Sequence, residues 1–156
     1  MSNLKSFFKH FQLTNLNLTT PFMNAEFEFV EADKEAAWAL YVELITRSAV
    51  QPLPDTYGAE KTALESLYSI FPTTRKILKE YGRNGKTFAQ IAILVLNQIL
   101  RPFLTKWHGL VQSGALENAE TSKQFRNELA ELQKDLKKFV TMLAKIAEFD
   151  DFSLEL

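Results

Sequence analysis

The chain contains no cysteine. Disulfides, thiolate zinc sites, iron–sulfur clusters and thiol nucleophiles are therefore excluded, and the core alone must hold the fold. Glycine and proline are scarce, at five each in 156 residues. That scarcity disfavours an all-β protein, which needs many tight turns. Histidine occurs twice, at His10 and His108. Neither belongs to a Glu-x-x-His pair of the kind that builds di-metal sites in helical bundles. The phosphate-loop pattern GxxxxGK[ST], the dinucleotide pattern GxGxxG, the HExxH zinc motif and the GxSxG nucleophile elbow are all missing. The expectation is a protein that is not an enzyme, with no catalytic residues, metal or cofactor.

Charge of one sign is also lacking. Lys and Arg total 18 against 19 Asp and Glu, a net charge of −1. A global pull toward nucleic acid or anionic membranes is disfavoured. The most apolar run, Phe88 to Leu100, is broken by Gln90, Asn97 and Gln98 and ended by Arg101-Pro102. A membrane span needs about 20 mostly apolar residues, so this run reads as a core helix with no transmembrane segment. The opening MSNLKSFFKHF has no signal-peptide hydrophobic region, and the expected location is cytoplasmic.

What is present is apolar side chain: 46% of the residues are hydrophobic, including 13 Phe. A chain of this size can bury about two thirds of its unfolded surface. A single domain over 1–156 is expected, with 1–31 as an appendage and 33–148 as a helical bundle. Leu4, Phe7, Phe8 and Phe11 have the spacing of one helical face, with Ser2 or Asn3 placed to cap it. Membrane-surface contact by this helix is disfavoured, since it carries only two lysines. Leu16 and Leu18, then Phe27 and Phe29, alternate with polar residues, which predicts a β-ribbon over 13–31 turning at Thr20–Asn24.

The first bundle helix is expected from an Asp33 N-cap to just before Gln51-Pro52-Leu53-Pro54, burying Ala37, Leu40, Tyr41, Leu44 and Ile45 with Trp38 and Val42 widening the face. A second runs from Ala59, is bent or restarted at Pro72, and ends at a left-handed Gly82. A third opens at a Thr87/Gln90 capping box and bends at Pro102. The longest opens at a Thr121/Gln124 box, where Phe125, Leu129, Leu132, Leu136, Phe139, Leu143 and Ile146 step by four and three. That is a heptad seam, whose partner helices can come from the same chain or another. The fold class is mainly α: about four principal helices, two bent at Pro72 and Pro102, with a short N-terminal helix and the β-ribbon.

Three groups of residues are candidates for function. Arg101, Lys106, Trp107 and His108 cluster about the proline bend and suit a small anionic or amphipathic ligand, in an enzyme or a binding protein. Phe7, Phe8, Phe11, Phe27 and Phe29 lie in segments left over once a bundle is packed, and left-over apolar faces suit a protein interface. Arg75, Lys76, Lys79 and Arg83 share one side of a helix and suit an acidic partner or a phosphate backbone, although nucleic acid is disfavoured because no stacking aromatics accompany them. Charge is also segregated along the chain. Between Glu60 and Gly109 there are eight basic residues and three acidic, and between Asn24 and Ala59 seven acidic and two basic. Opposed patches suit self-association. The expected function is a non-enzymatic cytosolic interaction or regulatory module whose partner is protein, most simply a second copy of itself.

Overall fold

The 4-3 hydrophobic seam near the C-terminus packs chiefly against one helix, which in turn packs on two others. In a computed structural model, which describes residues 3–13, 16, 21–24, 26–47, 49–53 and 60–151, the chain is mainly helical. The elements are α1 (Leu4–His10), a 3-10 turn (Pro21–Asn24), α2 (Glu31–Ile45), α3 (Glu60–Tyr68), α4 (Ile70–Tyr81) and α5 (Lys86–Val95). A π-helical turn (Leu96–Leu100), α6 (Arg101–Gln112), a 3-10 turn (Ala115–Glu117) and α7 (Ala119–Ile146) follow. All seven seam residues of α7 are buried. Their partners belong to the same chain: α7 packs chiefly on α2, which also packs on α4 and α5, while α3 lies against α6. The central layer is thus α2 with α7.

The local reasons for the elements differ from the sequence expectation at several points. Asn3 caps α1, its Oδ1 accepting the Ser6 N–H at 2.9 Å. The β-ribbon is corrected. Among the described residues there is no strand, only a single antiparallel bridge between Asn3 and Glu26; residues 14, 15, 17–20 and 25 lie outside them. The alternation of Phe27 and Phe29 is used to pack on α1 through ring contacts rather than to pair a strand.

α2 begins at Glu31, so Asp33 is not the N-cap. It sits in the first turn, and its Oδ2 accepts the Val30 N–H at 2.9 Å. The helix stops at Ile45, and Ala49 and Val50 of the following turn are buried. Trp38 and Val42 do not widen the buried face; they are 43% and 38% exposed. They fall off the Ala37, Leu40, Tyr41, Leu44 stripe, and Trp38 instead meets the Phe149 ring at a tilt, 4.4 Å between centroids.

The regular α-helix is interrupted ahead of both prolines. The chain breaks at Ser69 and restarts at Ile70, which puts Pro72 in the first turn of α4, where its missing N–H does least harm. Ahead of Pro102 the backbone widens into the π-turn, with the Arg101 N–H reaching back to the Leu96 carbonyl. Gly82 is not left-handed; its φ is −66°. Among the described residues the left-handed glycine is Gly114, φ 77°, just beyond the end of α6. The two expected capping boxes give way to residues just upstream. Gly85 precedes α5, and Asn118 caps α7 by accepting the N–H groups of Glu120 and Thr121. Lys86–Gln112 is long and apolar enough by composition to cross a membrane, but Phe88, Ile91, Val95, Leu100, Leu104 and Trp107 along it are buried inside this fold.

Candidate functional site

The four residues around the Pro102 bend leave α6 in three directions. Successive helical residues are turned by about 100°, so neighbours in sequence face different elements. Trp107 is fully buried toward α7, edge-on to Phe125 at 5.1 Å, and its Nε1 donates to Glu128 Oε2 at 2.9 Å. Lys106 pairs with the other oxygen of Glu128 and lies 5.1 Å over the Trp107 ring. His108 is exposed toward α3, stacked on Tyr68 at 6.3 Å and 3.2 Å from the Gln112 amide nitrogen. Arg101 is exposed toward α4, its Nε donating to Asn97 Oδ1 at 3.0 Å and its guanidinium 4.7 Å over Phe71. Among the described residues the four separate, with Lys106, His108 and Arg101 lining three different cavities and Trp107 in the core.

Glu128 is the acceptor that organises the α6–α7 side. Burial pushes its carboxyl up, but donation from Lys106, Gln124 and Trp107 outweighs that, so the group lies below the usual carboxylate range. Glu60 on α3 behaves alike. Burial pushes it up, and the Ser122 hydroxyl, its own backbone N–H and Arg126 bring it below the usual range. These carboxylates are occupied in joining helices. The open groove of about 650 Å3 beside Lys106 is rimmed by further charges that pair locally, Lys134 with Glu131 and Lys138 with Asp135.

The phenylalanines separate into two groups. Phe8 is buried in the core and is not part of a surface. Phe7, Phe11, Phe27 and Phe29 are half-buried and make one edge-to-face cluster, with centroids 4.8–5.7 Å apart for the contacts that link them. Together with His10, Glu28 and Lys145 they line an open groove of about 510 Å3. Sequence reasoning missed the exposure of Trp38, Val42 and Phe149, each more than a third exposed. Its signal was there in the off-stripe positions of Trp38 and Val42.

The basic row is a real surface feature. Arg75, Lys76, Lys79 and Arg83 are all exposed, and among the described residues none makes an ion pair. The same holds for Glu26, Glu28, Glu31 and Glu35 at the entry to α2. Lys34 in that region is taken by Glu148 at 2.9 Å, and hydrogen bonding to Glu148, with Glu31 and Glu28 adding to the field, raises it above the usual lysine range. Tyr81 at the end of α4 is raised by the charge of Glu80 and, more weakly, of Glu35. No described ion pair joins the acidic segment around α2 to the basic segment around α4 and α6.

Among the described residues no group of three or more His, Asp or Glu is placed to hold a metal ion. Compared with known protein families, curated proteins and solved structures, the chain matches none of them.

Proposed function

We propose that this chain is a non-enzymatic, cytosolic helical interaction module that associates with itself. One observation carries the reading: two exposed rows of opposite charge, Arg75, Lys76, Lys79 and Arg83 in one and Glu26, Glu28, Glu31 and Glu35 in the other, find no counter-ion among the described residues. Complementary patches steer association and set its register. In a two-fold dimer each basic row meets its partner's acidic row and the assembly closes. The half-buried Phe7, Phe11, Phe27 and Phe29 offer apolar area beside the acidic row, since Phe27 and Phe29 alternate with Glu26 and Glu28.

Sedimentation or light scattering across protein concentration tests it. The dimer is expected to form at low salt and to weaken as salt screens the rows. Lys79→Glu with Arg83→Glu should abolish it, and adding Glu31→Lys with Glu35→Lys in the same chain should restore it. A monodisperse monomer at high concentration and low salt overturns the reading. The same unpaired basic row supports a second reading, a phosphate backbone; retention on DNA that falls steeply with salt would carry it, and no retention at low salt would remove it.

A further inference from the structure

Between α4 and the widened turn at Leu96–Leu100 the surface sinks into a hollow of about 150 Å3. Phe71 and Leu78 wall it from α4, and Arg75 and Arg101 both line it. Arg101 spends one nitrogen on Asn97 and one face on Phe71. The guanidinium has five N–H donors, so its outer pair remains for an acceptor. Arg75 is exposed and has no ion pair among the described residues.

The second observation is independent of the arginines. Thr74, in the lining of the same hollow, is 1% exposed, and its hydroxyl has no hydrogen-bond partner. Buried polar groups are nearly always bonded, and each exception calls for a cause. A helical threonine ordinarily satisfies its hydroxyl on the carbonyl one turn back, and this one does not. The π-turn supplies the setting. Pro102 has no N–H to give, the backbone widens ahead of it, and Asn97 and Arg101 end side by side across from α4. Turns of this type recur at functional sites.

The geometry points to a binding site for a small carboxylate with a short apolar body, held by Arg75, Arg101 and the Thr74 hydroxyl. Two guanidiniums select an oxyanion, and their planar forks match a carboxylate. The apolar walls favour an aliphatic tail over a bare ion. The hollow, at about 150 Å3, is small, which favours a short aliphatic chain over a long one. The site draws Arg101 from the cluster near Pro102 and Arg75 from the basic row; because the proposed dimer would engage Arg75 as well, the ligand is titrated at a protein concentration where the chain is monomeric.

The test is a titration of the full chain by calorimetry and amide NMR with butyrate, butyramide, butylammonium and inorganic phosphate. Butyrate is expected to bind, shifting amides of Thr74, Asn97 and Arg101; butyramide and butylammonium should be at least about tenfold weaker, since they lose charge-assisted bonds. Phosphate binding as tightly as butyrate would move the assignment from carboxylates to bare oxyanions and overturn the role of the apolar walls. Arg101→Gln should weaken butyrate about tenfold, whereas Lys123→Gln, exposed on α7 and outside the hollow, should change it less than about twofold. Thr74→Val is the discriminating variant: it should weaken butyrate while raising the midpoint of thermal unfolding, a pair of opposite movements that general damage to the fold does not produce. Equal binding of butyrate and butyramide, no shift with tens of millimolar butyrate, or undiminished binding by both Arg101→Gln and Thr74→Val overturns the proposal.

Discussion

Asp33 Oδ1 accepts the backbone N–H of Phe88 at 2.8 Å, across 55 positions of sequence. Its other oxygen takes the Val30 N–H at 2.9 Å. One buried carboxylate, 1% exposed, thus serves the first turns of both α2 and α5, where unsatisfied amides and the helix dipoles favour negative charge. Gly85, the residue before α5, has no side chain to do this itself. A Cβ there would lie 3.0 Å from the Ala32 carbonyl carbon and the Asp33 nitrogen. The glycine lets the two helix starts approach, and the aspartate fills the capping role.

Asp33→Ala is therefore expected to destabilise by about 2–4 kcal/mol, since it removes a cap and two charge-assisted bonds in a buried place. Asp33→Asn should cost less, because its carbonyl oxygen still accepts one amide. Gly85→Ala should cost about 1–3 kcal/mol by forcing backbone apart. Urea unfolding checks all three. An Asp33→Ala loss below about 0.5 kcal/mol, the size of an ordinary surface change, would refute the double cap.

The α7 seam gives a prediction that separates a core from an interface. Phe139 and Leu136 are buried against helices of the same chain. Phe139→Ala should cost about 3–5 kcal/mol and Leu136→Ala about 2–5 kcal/mol. Those losses should not depend on protein concentration, as they would if the seam were filled by a second chain. Lys137→Ala, half-buried between them in sequence, should stay within about 0.5 kcal/mol. Equilibrium unfolding at two widely spaced concentrations reads both points.

How much of this was legible follows from how local each signal is. The α7 seam repeats over three heptads, and Pro72 and Pro102 act on their own backbone, so these survived from sequence to structure. The Asp33–Phe88 bond could not be read, because nothing local at Asp33 points to a residue 55 positions on. The Thr87/Gln90 and Thr121/Gln124 boxes matched a pattern, but Gly85 with Asp33, and Asn118, start those helices earlier. Residues 27–29 alternate because alternate rings meet α1, which period two alone cannot distinguish from a strand. The proline-bend cluster shows the same limit for a site. Lys106, Trp107 and His108 are consecutive yet face α7 and α3, while Arg101 shares a hollow with Arg75, 26 positions earlier in the sequence.

Thr74→Val makes a stability prediction that stands apart from binding. The hydroxyl is buried without a partner, and valine keeps the shape while removing the desolvated group. A gain of about 1 kcal/mol is expected in urea unfolding. A loss of similar size would mean that the hydroxyl is bonded in solution.

Acid should loosen the α6–α7 and α3–α7 contacts first. Glu128 and Glu60 lie below the usual carboxylate range when folded, because donors on neighbouring helices outweigh the burial that pushes them up. When the chain unfolds they return to the ordinary range, so the unfolded state binds more protons in the window between. Stability must then rise with pH through that window. The contribution is fully present above the ordinary carboxylate value and is lost as pH falls through the depressed folded one. Glu128→Gln keeps an acceptor for Trp107 Nε1 but loses the charge that faces Lys106. It should be less stable than the parent near neutral pH, and the gap should close as pH falls below about 4. Glu60→Gln should show the same convergence through its contacts with Ser122 and Arg126. Because Glu128 is about one-third exposed, added salt should shrink its gap more than that of Glu60. Urea unfolding of parent and variants from about pH 7 to about pH 3 measures the convergence, and a gap that stays constant over that range would show that neither carboxylate's charge is coupled to folding.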